Sequence, residues 1–128
     1  MSPRRFVWIW APVVVVTAGI GYVSVRSVGG GPAFPQSDKL LHGLAYALLA
    51  LVLARGLVEG VGQKLDEAAL VACIWATAYG GALEVVQHFV GRTADLFDAL
   101  ANGGGAALAV GVWWAIARWR ARRRDDAD

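Results

Sequence analysis

Cysteine, histidine and methionine are scarce in this chain of 128 residues, and charge is absent from long stretches of it. The single cysteine, Cys73, excludes an internal disulfide and sits in an apolar block, where it suits a small buried hydrophobe. With one cysteine and two histidines there is no cysteine pair and no H-E-x-x-H, so the common zinc frameworks are missing. P-loop, dinucleotide fingerprint, G-x-S-x-G and internal repeats are missing too. Neither a metal nor a cofactor is expected.

What fills the chain is hydrocarbon. It is 57% hydrophobic with a mean hydropathy of +0.50, against about 45–50% apolar residues for a soluble domain. The excess sits in four blocks. The expected fold is therefore all-α: a single integral membrane domain over residues 1–128, built as a four-helix transmembrane bundle.

Phe6 to Val25 carries no charge and spans about 30 Å as a helix, one bilayer core. It is rich in valine, but a backbone in lipid must satisfy its own hydrogen bonds, which favours helix over strand. The run is long for a signal-peptide core and no A-x-A cleavage site follows, so it reads as a first membrane helix. Arg26 to Ser37, with Gly29-Gly30-Gly31-Pro32 and Pro35, reads as a loop. The second helix is expected over Asp38 to Val58 and the third over Ala68 to Val90, joined by a short charged loop from Glu59 to Glu67. Gly91 to Asp98 reads as the connection and the start of the last element, with Asp95, Asp98 and Asn102 at i, i+3, i+7 on one helical face; Gly103 to Ala117 continues into the fourth membrane helix, followed by a polar, exposed tail. Ala76, Gly80 and Gly81, and the pairs Gly105/Ala109 and Ala107/Gly111, are small residues that let helices pack closely in lipid.

The twelve Lys and Arg residues are unevenly placed. Four spans put Arg4, Arg5, Arg55, Lys64, Arg118, Arg120, Arg122, Arg123 and Arg124 on one side, and only Arg26, Lys39 and Arg92 on the other. By the positive-inside rule both termini are cytoplasmic. Trp8, Trp10, Trp113, Trp114 and Trp119 fall near the same side, as an aromatic belt does. The arginine tail thus reads as a cytoplasmic flank, and no nucleic-acid partner is expected.

Polar residues gather at the opposite side. Asp38, His42 and Tyr46 recur at i, i+4, i+8 on one helix face. Glu84, Gln87, Arg92, Asp95, Asp98 and Asn102 fall within a few turns of one another around the link between the third and fourth helices. Tyr46 and Glu84 lie at matching depths, about 12 Å inward of the outer interface by helical rise. Ionisable groups at such depths usually mark function. The second and fourth helices both aim their N-termini at this place, and Lys39 and Arg92 add positive charge, which favours an anion. Arg92 offers a forked donor for phosphate. A carboxyl in apolar surroundings, Glu84 or Asp98, suits general acid or base work, and His42 can act as base or nucleophile. Each has a plainer alternative. Glu84 can bond to Gln87 or Tyr46, His42 to a backbone carbonyl, Asp95 can cap a helix, Asn102 can bond across helices, and Lys39 and Arg92 can snorkel. His88 reads as an interfacial side chain.

At these residues the chain resembles the VanZ-like family of small bacterial membrane proteins. The matching elements are Asp38-Lys39-xx-His42-xxx-Tyr46 and Glu84-xx-Gln87-xxx-Gly91-Arg92-xx-Asp95-xx-Asp98-xxx-Asn102-xx-Gly105, over about residues 34–112. The family takes its name from a glycopeptide-resistance accessory protein. The resemblance implies a multi-pass protein of the bacterial cell membrane that binds or acts on lipid head groups or lipid-linked cell-envelope precursors. His42, Glu84 and Asp98 would be catalytic; Asp38, Lys39, Tyr46, Gln87, Arg92, Asp95 and Asn102 would bind substrate. An enzyme, a hydrolase or transferase, is one reading. A non-catalytic accessory protein of the envelope is the other, and a proton-coupled transporter would require several copies. Orientation has a direct test: with Cys73 replaced by Ala, cysteines at Gln36 and Ala94 should react with impermeant reagents applied outside intact cells, and protection of both would reverse the assigned topology.

Overall fold

A computed structural model describes residues 1–26, 35–89 and 96–125. Four α-helices account for nearly all of them: α1 Pro3–Arg26, α2 Pro35–Gly56, α3 Leu65–Phe89 and α4 Leu96–Asp125. No strand occurs among the described residues. All four helices are long and apolar enough to cross a membrane.

The helix ends differ from the sequence-based expectation in ways that follow from local chemistry. Pro35 was expected to break a helix and instead begins one, because at the first helical position its missing N–H is not needed and its fixed φ suits the turn. The expected charged loop from Glu59 to Glu67 shrinks to residues 62–64. α2 gives way to a π-helical turn, Leu57–Val61, and Gly62 stops it in the left-handed region at φ 79°. There the Gly62 N–H bonds to the Val58 carbonyl at 3.2 Å and the Gln63 N–H to the Leu57 carbonyl at 3.1 Å. α4 starts at Leu96, inside the stretch expected to begin the last element, and runs beyond Ala117 through the arginines to Asp125. At 30 residues it is about 45 Å long, so its arginine end stands beyond a hydrocarbon core of about 30 Å.

The helices run up and down. At one end Trp10 of α1 lies against Gly56 and Gly60, and Trp114 and Arg118 of α4 meet Asp66 of α3. At the other, Gln87 of α3 reaches Ser24 of α1, and Lys39 of α2 lies over Phe97 of α4. Both termini are therefore at the same end, with the N-termini of α2 and α4 at the opposite one.

α2 and α4 share the largest interface, and α3 packs against both. Within it Gly43 lies so close to Gly105 that a Cβ on Gly105 would overlap the Gly43 carbonyl group. Below it, Ala50, Ala76 and Ala106 are fully buried in one cluster with Tyr46, Leu49 and Val110. α1 is peripheral: among the described residues its one buried side chain is Ile9. Two polar clasps hold its far half to α3. The Tyr79 hydroxyl donates to the Thr17 carbonyl at 2.8 Å, and Gln87 Nε2 donates to the Ser24 carbonyl at 3.2 Å.

Gly105→Leu should separate α2 from α4 and lower stability by about 1–3 kcal/mol, the usual cost of overpacking. Gly81→Leu serves as the control, because a Cβ there meets nothing within 4 Å. Thermal unfolding in micelles checks both, and equal midpoints would show that the Gly43–Gly105 contact does not govern the packing.

Candidate functional site

Three helix faces carry the polar groups inward. On α2 the buried residues Tyr46, Ala50 and Ala54 continue toward the helix start through half-buried His42, at four-residue spacing. On α3 the stripe Ala68, Ala72, Ala76, Gly80 and Gln87 is buried, and Glu84, half-buried, falls in register within it. On α4 the stripe Asn102, Ala106 and Val110 continues through half-buried Asp98. Each inward face is apolar and small toward the end with the termini, and polar toward the other.

Tyr46, Gly80 and Asn102 form one layer. A Cβ on Gly80 would lie 3.0 Å from Asn102 Nδ2, 3.0 Å from Tyr46 Cε1 and 3.2 Å from Tyr46 Cζ. The absence of a side chain at Gly80 thus lets two large polar side chains from different helices close over the α3 backbone. Tyr46 and Asn102 are each only 2% exposed. Asn102 Oδ1 is buried with no hydrogen-bond partner among the described residues. His42, Glu84 and Asp98 each stand one helical turn beyond a member of this layer, on the same faces and toward the same end. Glu84 lies within electrostatic range of Tyr46. His42, Glu84 and Asp98 are all engaged in interactions of their own.

The rim is formed by Lys39, whose Nζ sits 4.7 Å from the centroid of the Phe97 ring. That contact ties the first turn of α2 to the first turn of α4. The N-termini of both helices open on the same end, where unpaired N–H groups favour negative charge. Arg92 and Asp95 lie outside the described residues, as does the side chain of Asp38.

Gln87 has a different position from the others. It is 8% exposed and its amide nitrogen is bonded to α1, so it joins two helices as well as bordering the stripe. His88 is exposed, with its ring edge-on to Phe89. Among the described residues, no three of His, Cys, Asp and Glu are grouped closely enough to hold a metal ion.

Gly43 escaped the sequence reading. It follows His42 directly and is wedged between Ala101 and Gly105 of α4, so it brings the polar faces of α2 and α4 together. A glycine inside an apolar helix, next to a histidine, was the available signal. The backbone carbonyls of Thr17 and Ser24 on α1 were also missed, since main-chain acceptors leave no trace in residue type.

The class defined by this fold is an all-helical bundle with four helices long and apolar enough to span a membrane, and a polar layer set into three of them. No family model, no curated protein and no solved structure matches the chain.

The layer itself can be tested by a double-mutant cycle. Gly80→Ala should destabilise the bundle, because the new methyl presses on the Tyr46 ring and on Asn102. In the Asn102→Ala background that loss should shrink by about 0.5 kcal/mol or more, the coupling typical of touching residues. Additive losses in thermal unfolding would separate Asn102 from Gly80.

Proposed function

We propose that this chain is a VanZ-like integral membrane protein of the bacterial cell envelope, with both termini in the cytoplasm. Its polar layer receives the anionic head group of a membrane lipid or a lipid-linked envelope precursor from the outer leaflet. The observation that carries this reading is the register of the three inward faces. His42, Glu84 and Asp98 come from three helices, yet each stands one turn above the Tyr46–Gly80–Asn102 layer. Charged side chains are rarely kept at the inward faces of membrane helices for packing alone.

In this reading Lys39, Arg92 and the two helix N-termini hold the phosphate, and Asp38, Asp95 and Gln87 border it. Tyr46 and Asn102 form the floor. A buried amide oxygen without a donor costs about 1–3 kcal/mol, so Asn102 Oδ1 suits a hydrogen bond from a hydroxyl of the bound head group. His42 takes a proton from the attacking water or hydroxyl. Glu84 or Asp98 passes a proton to the leaving oxygen. Hydrolysis and head-group transfer share these steps and differ only in the attacking molecule. A lipid-linked cell-wall precursor as ligand would be compatible with a glycopeptide-resistance role.

The test uses the full chain in micelles, a broad panel of phosphate-bearing lipids with divalent metals supplied, and mass spectrometry of the products. His42→Gln, Glu84→Gln and Asp98→Asn should each cut turnover by about a hundredfold or more, the scale of a general acid or base, with lipid binding largely kept. Arg92→Gln should weaken binding. If no lipid is ever changed, while binding depends on Arg92 and ignores the three neutralised groups, the protein is a non-catalytic accessory binder.

A further inference from the structure

At the end that carries both termini, a groove of about 360 Å³ runs between α3 and α4. Asp66, Trp114 and Arg118 form its polar mouth, and Ala69, Cys73 and Gly111 are among the small residues along it. Ala107 and Gly111, whose spacing predicts tight helix packing, instead face outward and leave the floor open. A Cβ on Gly111 would meet nothing within 4 Å. From Arg118 to Ala107 the groove follows α4 for about 16 Å, which is the depth of one leaflet of hydrocarbon.

At the mouth Asp66 faces Arg118, and four more exposed arginines, Arg120, Arg122, Arg123 and Arg124, follow on α4. One carboxylate oxygen of Asp66 accepts from the Trp114 indole N–H. The other lies 3.4 Å from Arg118 Nη2, a long contact between half-exposed groups. The guanidinium rests 5.0 Å from the Trp114 ring centroid and is half-exposed. Arg122 follows one turn on, on the same helix face, and Arg120, Arg123 and Arg124 surround it, all exposed.

We propose that this groove binds one anionic phospholipid, with its phosphate on Arg118 and Arg122 and an acyl chain along the Ala107–Gly111 floor. The charge suits a phosphodiester, and the apolar length suits one chain of the adjacent leaflet. A second copy of this chain fits less well. A two-fold contact through this groove brings the two arginine clusters onto the same surface, where like charges repel. The inference is independent of the head-group site at the other end.

The test is native mass spectrometry of the full chain in maltoside micelles, titrated with phosphatidylglycerol or with phosphatidylcholine bearing the same acyl chains. Phosphatidylglycerol should be retained in preference, and Arg118→Gln and Arg122→Gln should each weaken it about fivefold, one arginine's worth of attraction to an anionic surface. Gly111→Leu, filling open space, should lower retention with the unfolding midpoint unchanged. Arg122→Gln keeps the test informative if Arg118→Gln fails to fold, because Arg122 is exposed. Equal retention of the two lipids would overturn the proposal, as would unchanged phosphatidylglycerol binding in Gly111→Leu. A dimer that Gly111→Leu dissociates would assign the groove to a second copy.

Discussion

The contact between the Gly43 carbonyl and Gly105 is the constraint on which the bundle depends. In lipid, apolar helices gain little by meeting one another, because the tails they leave are as apolar as the side chains they find. Association then rests on close packing. Two glycines at the α2–α4 crossing let the backbones touch, and the buried alanines Ala50, Ala106 and Ala76 keep α2, α4 and α3 close below it. A side chain at Gly105 would lift α2 from α4 and open the layer just beside it, whereas a Cβ on Gly43 would meet the Ala101 carbonyl at an ordinary 3.5 Å.

That layer explains why large polar groups are tolerated so deep. Gly80 yields its side-chain volume to Tyr46 and Asn102, which shield each other from lipid. The amide is still costly there, because Asn102 Oδ1 has no hydrogen-bond partner among the described residues. α1 contributes differently. It packs more on α2 than on α3, and is tied to α3 by two side-chain donors to its own carbonyls, at Thr17 and Ser24. Those bonds need no particular side chain on α1, which accounts for the lack of any recognisable motif there.

Helix number, their order and the sharing of one end by both termini were all legible in the apolar blocks and the arginine positions. The polar stripes were legible as well, since Asp38, His42 and Tyr46, and Asp98 and Asn102, sit at helical spacing. Three things were not. Helix ends at Pro35 and Leu57–Val61 depend on which backbone groups need partners, and residue type alone leaves that open. Small residues cannot reveal which helix they face: Gly105 packs on α2, Gly81 on nothing, and Ala107 and Gly111 on open space. The acceptors that α1 offers to Tyr79 and Gln87 are main-chain carbonyls and have no sequence signature.

The two ends of the bundle treat charge in opposite ways, and this bears on what each can recognise. Toward one end, His42, Glu84 and Asp98 lie on inward stripes, half-buried and continuous with a closed polar floor. Under the proposed function, the molecule that meets them is one whose head group enters between the helices. Such a site selects by shape and hydrogen bonding, because every unmatched polar group inside it is left desolvated. At the other end, Arg118 to Arg124 project all round α4, beyond the hydrocarbon, anchored by stacking of Arg118 on Trp114 and Arg123 on Trp119 at 4.1 Å. Those charges meet every head group in the leaflet and discriminate mainly by net charge, within a screening distance of about 8–10 Å. The small residues of α4 serve both ends, packing on α2 at Gly105 and opening a groove at Gly111.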